Sequence, residues 1–202
     1  MPSEHHLIVS ETDKTYTLHL LIERIHNMIY VIRHGQTDLN QEGRLQGRRG
    51  RPLNEAGMIQ AQNAKEALCD IHFDYVFSSP QERAVQTAEI ISGKEVKVDE
   101  RLDVFDLGEA DGLLKTEVKM SGYLPDQSVY EGIENKEDFM GRIFSFMDEL
   151  QGSLASKDVN ILISGHRCTT GGIGAYFKGI PTDLNILQYS SNNGEFKTYR
   201  FK

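Results

Sequence analysis

The sequence predicts an α/β fold: a three-layer sandwich with a mostly parallel central sheet and helices on both faces of that sheet. Two patterns point to this class. Short β-rich segments alternate along the chain with longer segments whose apolar residues recur at helical spacing. The β-rich segments are largely apolar, which is typical of strands that helices cover on both faces. No internal repeat or low-complexity tract interrupts the alternation.

Five segments are predicted as strands and four as helices. The predicted strands are MIYVI at 28–32, FDYVF at 73–77, VNILISG at 159–165, NILQYS at 185–190 and EFKTYRF at 195–201. The predicted helices run from Asn54 to about Cys69, from Ser79 to about Ser92, from about Glu134 to Leu150, and through the Gly-rich segment after His166. Residues 94–132 are the least regular part and combine short strands with turns. The last two strands are expected to complete the sheet.

Caps and apolar stripes support the predicted helices. Asn54 is a suitable N-cap for the first helix. In the second helix Ser79 is predicted as the N-cap, Pro80 suits the first helical position, and Glu82 completes a capping box. The residues expected to face the core are Ala56, Ile59, Ala64, Ala67 and Leu68 in the first helix, Ala84, Ala88 and Ile91 in the second, and Phe139, Ile143, Phe146 and Met147 in the third.

Composition predicts a single soluble domain and narrows the classes of function. A chain of 202 residues, with 39% apolar and 26% charged residues, is long enough for one domain with a hydrophobic core. The net charge of −8 argues against nucleic acid or an anionic membrane as a general partner. No apolar run approaches the roughly 20 residues of a membrane span, and the N-terminus lacks the apolar core of a secretory signal. Cys69 and Cys168 are too few for a disulfide framework or a structural zinc site, so a reducing, cytoplasmic location is predicted.

Residues 1–27 are predicted to be an N-terminal extension of a domain at 28–202. The stretch LHLLIERIHN has the apolar spacing of a short amphipathic helix, and Met28 stands directly before the first strand, as a start codon would. We interpret the segment as an extended start or an appended sequence, with an interaction helix as the alternative. A metal site is disfavoured because the spacings match no common ligand pattern. The histidines concerned are His5, His6, His19 and His26.

Three predicted strands end in residues of one chemical kind. The first ends in RHGQT at 33–37, the second in SSP at 78–80 with Arg83 shortly after, and the third in SGHR at 164–167. Because ligands of parallel sheets sit beyond the carboxyl ends of the strands, we expect these groups to meet. Together they supply two imidazoles, guanidiniums, small polar donors and a helix N-terminus, which suits a phosphoryl group. One imidazole lone pair is available to attack phosphorus.

Five sequence blocks that include these strand ends occur in order along the chain. They are RHGQT at 33–37, LQG at 45–47, PLNEAG at 52–57, SSPQERAVQTAEII at 78–91 and SGH at 164–166. Together they resemble the signature of the histidine phosphatase superfamily, also called the phosphoglycerate mutase-like family. The resemblance covers nearly everything after Met28. It implies a phosphoglycerate mutase-like fold and a phosphatase that requires neither a cofactor nor a metal.

The resemblance also implies roles for individual residues. His34 would be the nucleophile that becomes phosphohistidine, and Arg33, Arg83 and His166 would bind the phosphoryl group during its transfer. The substrate would be a small-molecule phosphate ester. The other residues expected to contact it are Gly35, Gln36, Thr37, Asn40, Gln46, Gly47 and Arg167.

The general acid departs from the family pattern. Family members usually carry a Glu in a segment resembling RLxExxxGxxEG, and RLDVFDLGEADG at 101–112 places Val104 at that position. Valine has no proton to transfer. We expect Asp106 to act as the acid, ahead of Asp103, because Asp106 shares the facing of Val104 if the segment is extended. Glu109 and Asp111 are further candidates. The alternative is that all four are solvated loop carboxylates and the acid is absent, which would favour substrates with good leaving groups.

Basic residues around the predicted site are a second departure. Loop 44–51 reads RLQGRRGR, where family members often have an acidic residue near Gly50, and Arg167 stands where Gly is frequent. These arginines predict a substrate with more than one anionic group; the alternative is a solvated loop. Cys168 is expected to be a buried, unreactive thiol, since a Cys-x5-Arg loop would need an arginine at the position of Gly174.

Three functions stay open on sequence grounds. The first is a phosphomonoester phosphatase. The second is a phosphoglycerate mutase, which the short insertion between Gly112 and Glu134 and the early end after the last strand disfavour. The third is a catalytically impaired phosphate-binding or interaction module, which Val104 favours and the intact set of imidazoles and guanidiniums disfavours. The oligomeric state is left open.

Overall fold

The computed structural model describes residues 28–201. The predicted extension at 1–27, with its amphipathic helix and its four histidines, lies outside the described residues, as does residue 202. Within residues 28–201, none of the helices combines the length and the apolar character that crossing a membrane would require.

Strands and helices alternate along the described chain. The strands are β1 (Ile29–Arg33), β2 (Tyr75–Ser78), β3 (Lys97–Val98), β4 (Met120–Ser121), β5 (Leu124–Pro125), β6 (Ile161–Gly165) and β7 (Phe196–Tyr199). The α-helices are α1 (Asp38–Gln41), α2 (Glu55–Ala67), α3 (Glu82–Ser92), α4 (Lys136–Leu154) and α5 (Arg167–Lys178). Single 3₁₀ turns occur at Glu100–Leu102, Gly108–Ala110 and Ile186–Tyr189.

The central sheet is mostly parallel, as predicted. Its strand order is β3, β2, β6, β1, β7, and only β7 runs antiparallel to its neighbour. Arg33 at the end of β1 lies opposite Gly165 of β6, and Ser78 of β2 lies opposite Ser164. The carboxyl ends of β1, β6 and β2 therefore stand side by side. In the irregular region, β4 and β5 form a separate antiparallel pair.

Helices cover both faces of the sheet and produce the three predicted layers. Along β1, Ile29 and Val31 pack with residues of α4 and α5, whereas Tyr30 and Ile32 pack with residues of α2 and α3. This alternation is the two-residue period of a strand. Burying one large apolar side chain stabilises the fold by roughly 1.5–3 kcal/mol. The predicted α4 stripe is buried to within 2% exposure at Phe139, Ile143, Phe146 and Met147.

Helix α2 begins as predicted but packs through a different face. The Asn54 side chain accepts a hydrogen bond from the Gly57 N–H and caps the helix. Ile59 is 55% exposed, and Ala56 and Ala67 are exposed as well, so the prediction that they face the core is wrong. The reason is the close approach of the helix to the loop after β1. A Cβ atom at Gly57 would overlap the carbonyl oxygen of Gln36, and this contact turns Ala61 and Ala64 inward.

Helix α3 begins later than predicted. Its first residue is Glu82 and its N-cap is Gln81, so the placement of Ser79 as N-cap and Pro80 as first helical residue is wrong. The Ser79 hydroxyl instead lies 2.7 Å from His166 Nε2 and accepts the Gln81 N–H. The Ser79 hydroxyl, which local capping rules assigned to the helix N-terminus, therefore makes a tertiary contact with His166. The inward positions of α3 are confirmed, since Ala84, Ala88 and Ile91 are buried.

The predicted strand at 185–190 is a 3₁₀ turn instead. The Asn185 side chain accepts the Leu187 N–H and starts the turn, and Leu184 before it has a φ of 57°. The segment lies directly on α5, where a Cβ atom at Gly171 would meet the Ile186 carbonyl oxygen at 2.7 Å. The sheet position beside β1 belongs to β7.

Helix α4 also departs from its predicted bounds. It begins at Lys136, because the Asn135 side chain caps it by accepting the N–H groups of Glu137 and Asp138, and it continues to Leu154. The predicted range of Glu134 to Leu150 was therefore early at both ends.

Candidate active site

The loops after β1, β2 and β6 converge on two histidines. Backbone pairing continues one residue past the strands: the His34 N–H donates to the Gly165 carbonyl (2.9 Å) and the Ser79 N–H donates to the Ser164 carbonyl (3.0 Å). The rings of His34 and His166 lie with their centroids 5.1 Å apart. Both side chains are buried. The sheet register thus holds two imidazoles side by side beyond its carboxyl edge.

His34 is held with one ring nitrogen free of its proton. Its Nδ1 lies 2.7 Å from the Gly35 carbonyl oxygen and donates to it. The proton is therefore on Nδ1, and Nε2 has a lone pair, which accepts from Arg83 Nε at 3.3 Å. Burial, then the charges of Arg83 and Arg33, lower the pKa of His34 well below its ordinary value. The ring is neutral at pH 7 and its Nε2 lone pair is available for attack on an electrophile.

Arg83 is a buried cation beside that lone pair. The side chain is 1% exposed, and its Nη2 donates to the Gly47 carbonyl at 3.0 Å. Burial lowers the pKa of Arg83 to about 10, so the guanidinium keeps its charge at neutral pH. The loop wraps closely around it: a Cβ atom at Gly50 would overlap Arg83 Nη1. The glycine at position 50 therefore lets the basic loop close over the guanidinium.

His166 is oriented by Ser79. Its Nε2 lies 2.7 Å from Ser79 Oγ, and that oxygen already accepts the Gln81 N–H at 3.2 Å. The Ser79 hydroxyl faces two acceptors, His166 Nε2 and Asp103 Oδ1 at 3.4 Å, and a proton directed to the imidazole places the ring proton on Nδ1. Burial, then the charges of Arg83, His34 and Arg33, lower the pKa of His166 well below its ordinary value. In that tautomer the imidazole is a neutral N–H donor at pH 7.

Three buried nitrogens at the site lack hydrogen-bond partners among the described residues. They are Arg33 Nε, Gln46 Nε2 and His166 Nδ1. All three residues line one pocket together with His34. Burial, then the charge of Arg167, lowers the pKa of Arg33 to about 10, so Arg33 is a cation at neutral pH. Buried donors are nearly always paired. This set is therefore suited to a ligand with negative charge and several acceptor oxygens.

The pocket has a polar floor and a largely apolar wall. Its volume is about 240 Å³. Beyond the imidazoles and Arg33 it contains three further cationic side chains, Arg44, Lys115 and Arg167. Within residues 28–201, no cluster of three or more His, Cys, Asp or Glu side chains could hold a metal ion. The residues of the apolar wall include Leu45, Val104, Phe105, Leu107, Tyr123, Leu124 and Pro125.

Comparison with known proteins identifies the family. The sequence profile of the histidine phosphatase superfamily (branch 1) matches residues 29–200. The chain belongs to this superfamily. The resemblance read from the five sequence blocks is thereby confirmed.

Relatives of this histidine phosphatase are named as phosphatases. "Putative phosphoserine phosphatase 2" of Hydrogenobacter thermophilus is 31% identical over 163 residues, which cover 75% of this chain and 79% of that protein. "Uncharacterized phosphatase PhoE" of Bacillus subtilis is 31% identical over 140 residues, or 68% and 71% of the two chains. A mycobacterial glucosyl-3-phosphoglycerate phosphatase, solved with VO₃, superposes with a TM-score of 0.72 at 25% identity and covers 85% and 92% of the two chains. This protein is a phosphatase.

The histidine phosphatase site contains some of the expected substrate-contacting residues and not others. Asn40, Gln46 and Arg167 line the pocket. The N–H groups expected to seat the phosphoryl group are already paired within the protein. Gly35 donates to Thr87 Oγ1, Gln36 to Gln60 Oε1, Thr37 to Asn40 Oδ1 and Gly47 to Asp111 Oδ1. These four N–H groups brace the loops around the pocket, and the residues that carry them do not line it, so their contact with the substrate stays a prediction.

The two carboxylates expected to supply the acid do not line the pocket. Asp103 Oδ1 accepts from Gln81 Nε2 (2.9 Å) and the Val104 N–H (2.7 Å). Asp106 Oδ1 accepts from the Gly108 N–H. The second oxygens of the two carboxylates both pair with Arg48, at 3.2 and 3.1 Å. The expectation that Asp106 or Asp103 reaches the leaving group gains no support from these contacts, and Val104 stands on the pocket wall.

The remaining candidate acids are also engaged in loop contacts. Asp111 accepts the N–H groups of Gly47 and Arg49, and Glu109 accepts that of Glu131. Neither lines the pocket. Their carboxylates therefore stabilise the loops, and that of Asp111 joins the basic loop to the segment after Val104.

Sequence reasoning missed two pocket features. Ser79 was expected as a cap and among the small polar donors of the SSP block, but its contact with His166 was not predicted. Lys115 lies in the irregular region, where no pattern pointed to the site, yet it lines the pocket. Burial, then Arg33 and Arg167, lower the pKa of Lys115. Cys168 also lines the pocket, and burial raises the pKa of its thiol to about 11, so it stays protonated.

Proposed function

We propose that this phosphatase hydrolyses small-molecule phosphate monoesters through a phosphohistidine intermediate on His34. The observation that carries the proposal is the set of three unpaired buried nitrogens beside the His34 lone pair. A phosphoryl group has three peripheral oxygens and would accept from all three donors. Pairing them removes a cost of roughly 1–3 kcal/mol for each buried donor left unsatisfied.

Chemistry at the site needs one lone pair and fixed positive charge. His34 Nε2 gives up its contact with Arg83 Nε and attacks phosphorus, the P–O bond to the leaving group breaks, and the leaving group takes the electron pair of that bond. The Nδ1–H bond to the Gly35 carbonyl keeps the ring aimed and stabilises the positive charge that develops on it. Arg33 and Arg83 stabilise the charge on the peripheral oxygens, and His166 donates through Nδ1. Water then displaces Nε2 from phosphorus and releases inorganic phosphate. The positive charge that stabilises the phosphoryl oxygens comes from the guanidinium groups of Arg33 and Arg83.

The test separates a hydrolase from a mutase and from a binding module. With 4-nitrophenyl phosphate as donor, we expect inorganic phosphate to equal 4-nitrophenol at every concentration of added 3-phosphoglycerate. A mutase would instead pass phosphate to that acceptor, and the phosphate yield would fall as the acceptor rises. A binding module would release no nitrophenol. Either result would contradict the proposed hydrolase, and the vanadate found with the mycobacterial relative supplies a competitive probe of the phosphoryl site.

We further propose that the substrate carries a second anionic group, which Arg167 binds. Phosphoserine and glucosyl-3-phosphoglycerate, named for two relatives, each carry a carboxylate besides the phosphate. Arg167 and Lys115 line the pocket, whereas Arg49 does not. We therefore propose that the second anionic group binds only the cations that line the pocket, and not the whole basic loop.

Arg167→Ala should selectively weaken binding of a substrate with a carboxylate. We expect kcat/KM for 4-carboxyphenyl phosphate to fall about tenfold more than that for phenyl phosphate, the value of one charge-assisted hydrogen bond. Arg49→Ala removes the same charge from an exposed side chain and should change neither value. Equal losses on both substrates in Arg167→Ala would contradict a second anion site.

The location of the protein is a separate inference. We infer a reducing, cytoplasmic environment from the two cysteines, because Cys69 and Cys168 are both free. Fractionation of cells with an antibody against the chain tests it.

A further inference from the structure

The pocket beside His34 has no carboxylate on its wall among the residues that the structure describes. Val104, which is 5% exposed, lies on that wall near the imidazole pair. A phosphatase that cleaves an alkyl ester must protonate an alkoxide, which is about as basic as hydroxide. The apolar side chain at position 104 leaves that task without a carboxylic acid.

Nearby carboxylates are fixed outside the pocket. Asp103 and Asp106 are both paired with Arg48, and each uses its other oxygen to accept backbone or amide N–H groups. To reach the pocket, either side chain would have to give up these contacts. Asp103 would give up its contacts with the Gln81 amide, the Ser79 hydroxyl and the Val104 N–H.

Cationic side chains line the pocket that would hold the leaving group. Arg33, Lys115 and Arg167 all line it. The ammonium of Lys115 has no hydrogen bond or ion pair among residues 28–201, and its pKa is lowered by burial and by the other two charges. Like charges held this close repel one another, and an anion between them relieves the repulsion. The pocket is therefore built to receive negative charge on departure.

Resting on the function proposed above, and extending it from esters to mixed anhydrides, we propose that the substrates of this enzyme are phosphorylated phenols or carboxylic acids, whose leaving groups depart as stable anions. Besides the phosphoryl group, the alkyl phosphates named for its relatives would then share only the second negative charge with these substrates. In the first step the P–Nε2 bond to His34 forms, the P–O bond to the leaving group breaks, and its electron pair leaves on a phenolate or carboxylate. In the second step water forms the new P–O bond, the P–Nε2 electron pair returns to the imidazole, and the proton lost by water goes to the released phosphate or to solvent. No proton donor on the protein takes part in either step.

A leaving-group series on the unaltered protein tests this directly. Acetyl phosphate, 4-nitrophenyl phosphate, phenyl phosphate and glycerol phosphate are compared by kcat/KM. We expect a fall of about 100-fold or more from 4-nitrophenyl to phenyl phosphate, and a further fall to glycerol phosphate, because general-acid catalysis worth about 10²–10⁴-fold is missing. Values within threefold of one another across the series would overturn the proposal, whether or not His34 forms a phosphoenzyme.

Val104→Glu provides a gain-of-function test, with Val104→Gln as the matched control. Glu should raise kcat/KM for phenyl and glycerol phosphate at least about tenfold and leave acetyl phosphate unchanged, with a new loss of activity as the added carboxyl ionises. Gln has the same bulk without an acidic proton and should give no such gain. If Lys115 were the general acid, kcat/KM of the wild-type enzyme would hardly depend on the leaving group. Lys115→Met would then make kcat/KM fall steeply from 4-nitrophenyl to glycerol phosphate. That result would overturn the proposal, and the leaving-group series decides the matter even if Val104→Glu fails to fold.

Discussion

Replacement of His34 by glutamine is expected to lower kcat/KM at least about 10⁴-fold with every substrate, a loss of about 5.4 kcal/mol of transition-state stabilisation. Glutamine retains side-chain hydrogen-bonding groups but has no nitrogen lone pair that can attack phosphorus. The site would keep Arg33, Arg83 and His166, so binding of the substrate should survive while transfer does not. The measurement pairs steady-state kinetics with mass spectrometry of acid-quenched and base-quenched protein.

The label should be on His34 and should be lost in acid but kept in base. His72→Gln is the control, because that side chain is 72% exposed and remote from the pocket lining. It should leave both turnover and label unchanged. If His34→Gln retained turnover above one hundredth of wild type, or if the label lay on another residue, the phosphohistidine mechanism would be wrong.

Arg83→Lys should cost about 10²–10³-fold in kcat even though it preserves the positive charge. Lysine is a point charge without the planar guanidinium fork. It cannot hold the three contacts that Arg83 makes with His34 Nε2, the Gly47 carbonyl and the Gln81 side chain. Loss of one preorganised donor to a transition-state oxyanion typically costs roughly 2.7–4 kcal/mol.

Stability and binding measurements separate this effect from misfolding. Arg49→Lys, in the same loop but not lining the pocket, should keep wild-type kcat and a wild-type midpoint of thermal unfolding. Arg83→Lys should lower kcat while vanadate still protects the protein against thermal unfolding, though less strongly. A kcat within fivefold of wild type would mean that Arg83 contributes charge alone.

Much of the fold was accessible from the chain because its signals are local. The strands β1, β2 and β6 are short apolar runs, and a run of that kind has few alternatives to a buried strand. Asn54 capped α2 as predicted, since a cap depends on residues within one turn. The apolar run at 185–190 failed because Asn185 starts a turn and α5 occupies the adjoining space.

The candidate site likewise combines features that local sequence signals predicted with features that they did not. That His34 and His166 would meet followed from two strand ends and the general rule for parallel sheets. That Asp106 would be the acid did not follow, because its direction depended on Arg48, a residue 58 positions earlier in the chain that holds it outside the pocket.

The amino-acid sequence alone determined the class of the sheet, the kinds of groups at its carboxyl edge and the absence of glutamate at position 104. The tertiary structure decided which ring nitrogen of His34 bears the proton, which buried nitrogens are left unpaired, and that no acidic side chain among residues 28–201 lines the pocket. The physical reason is the separation along the chain of the residues that interact. Apolar periodicity and capping arise among neighbours in the chain, whereas a hydrogen bond of about 3 Å depends on which distant segments the packed core brings into contact.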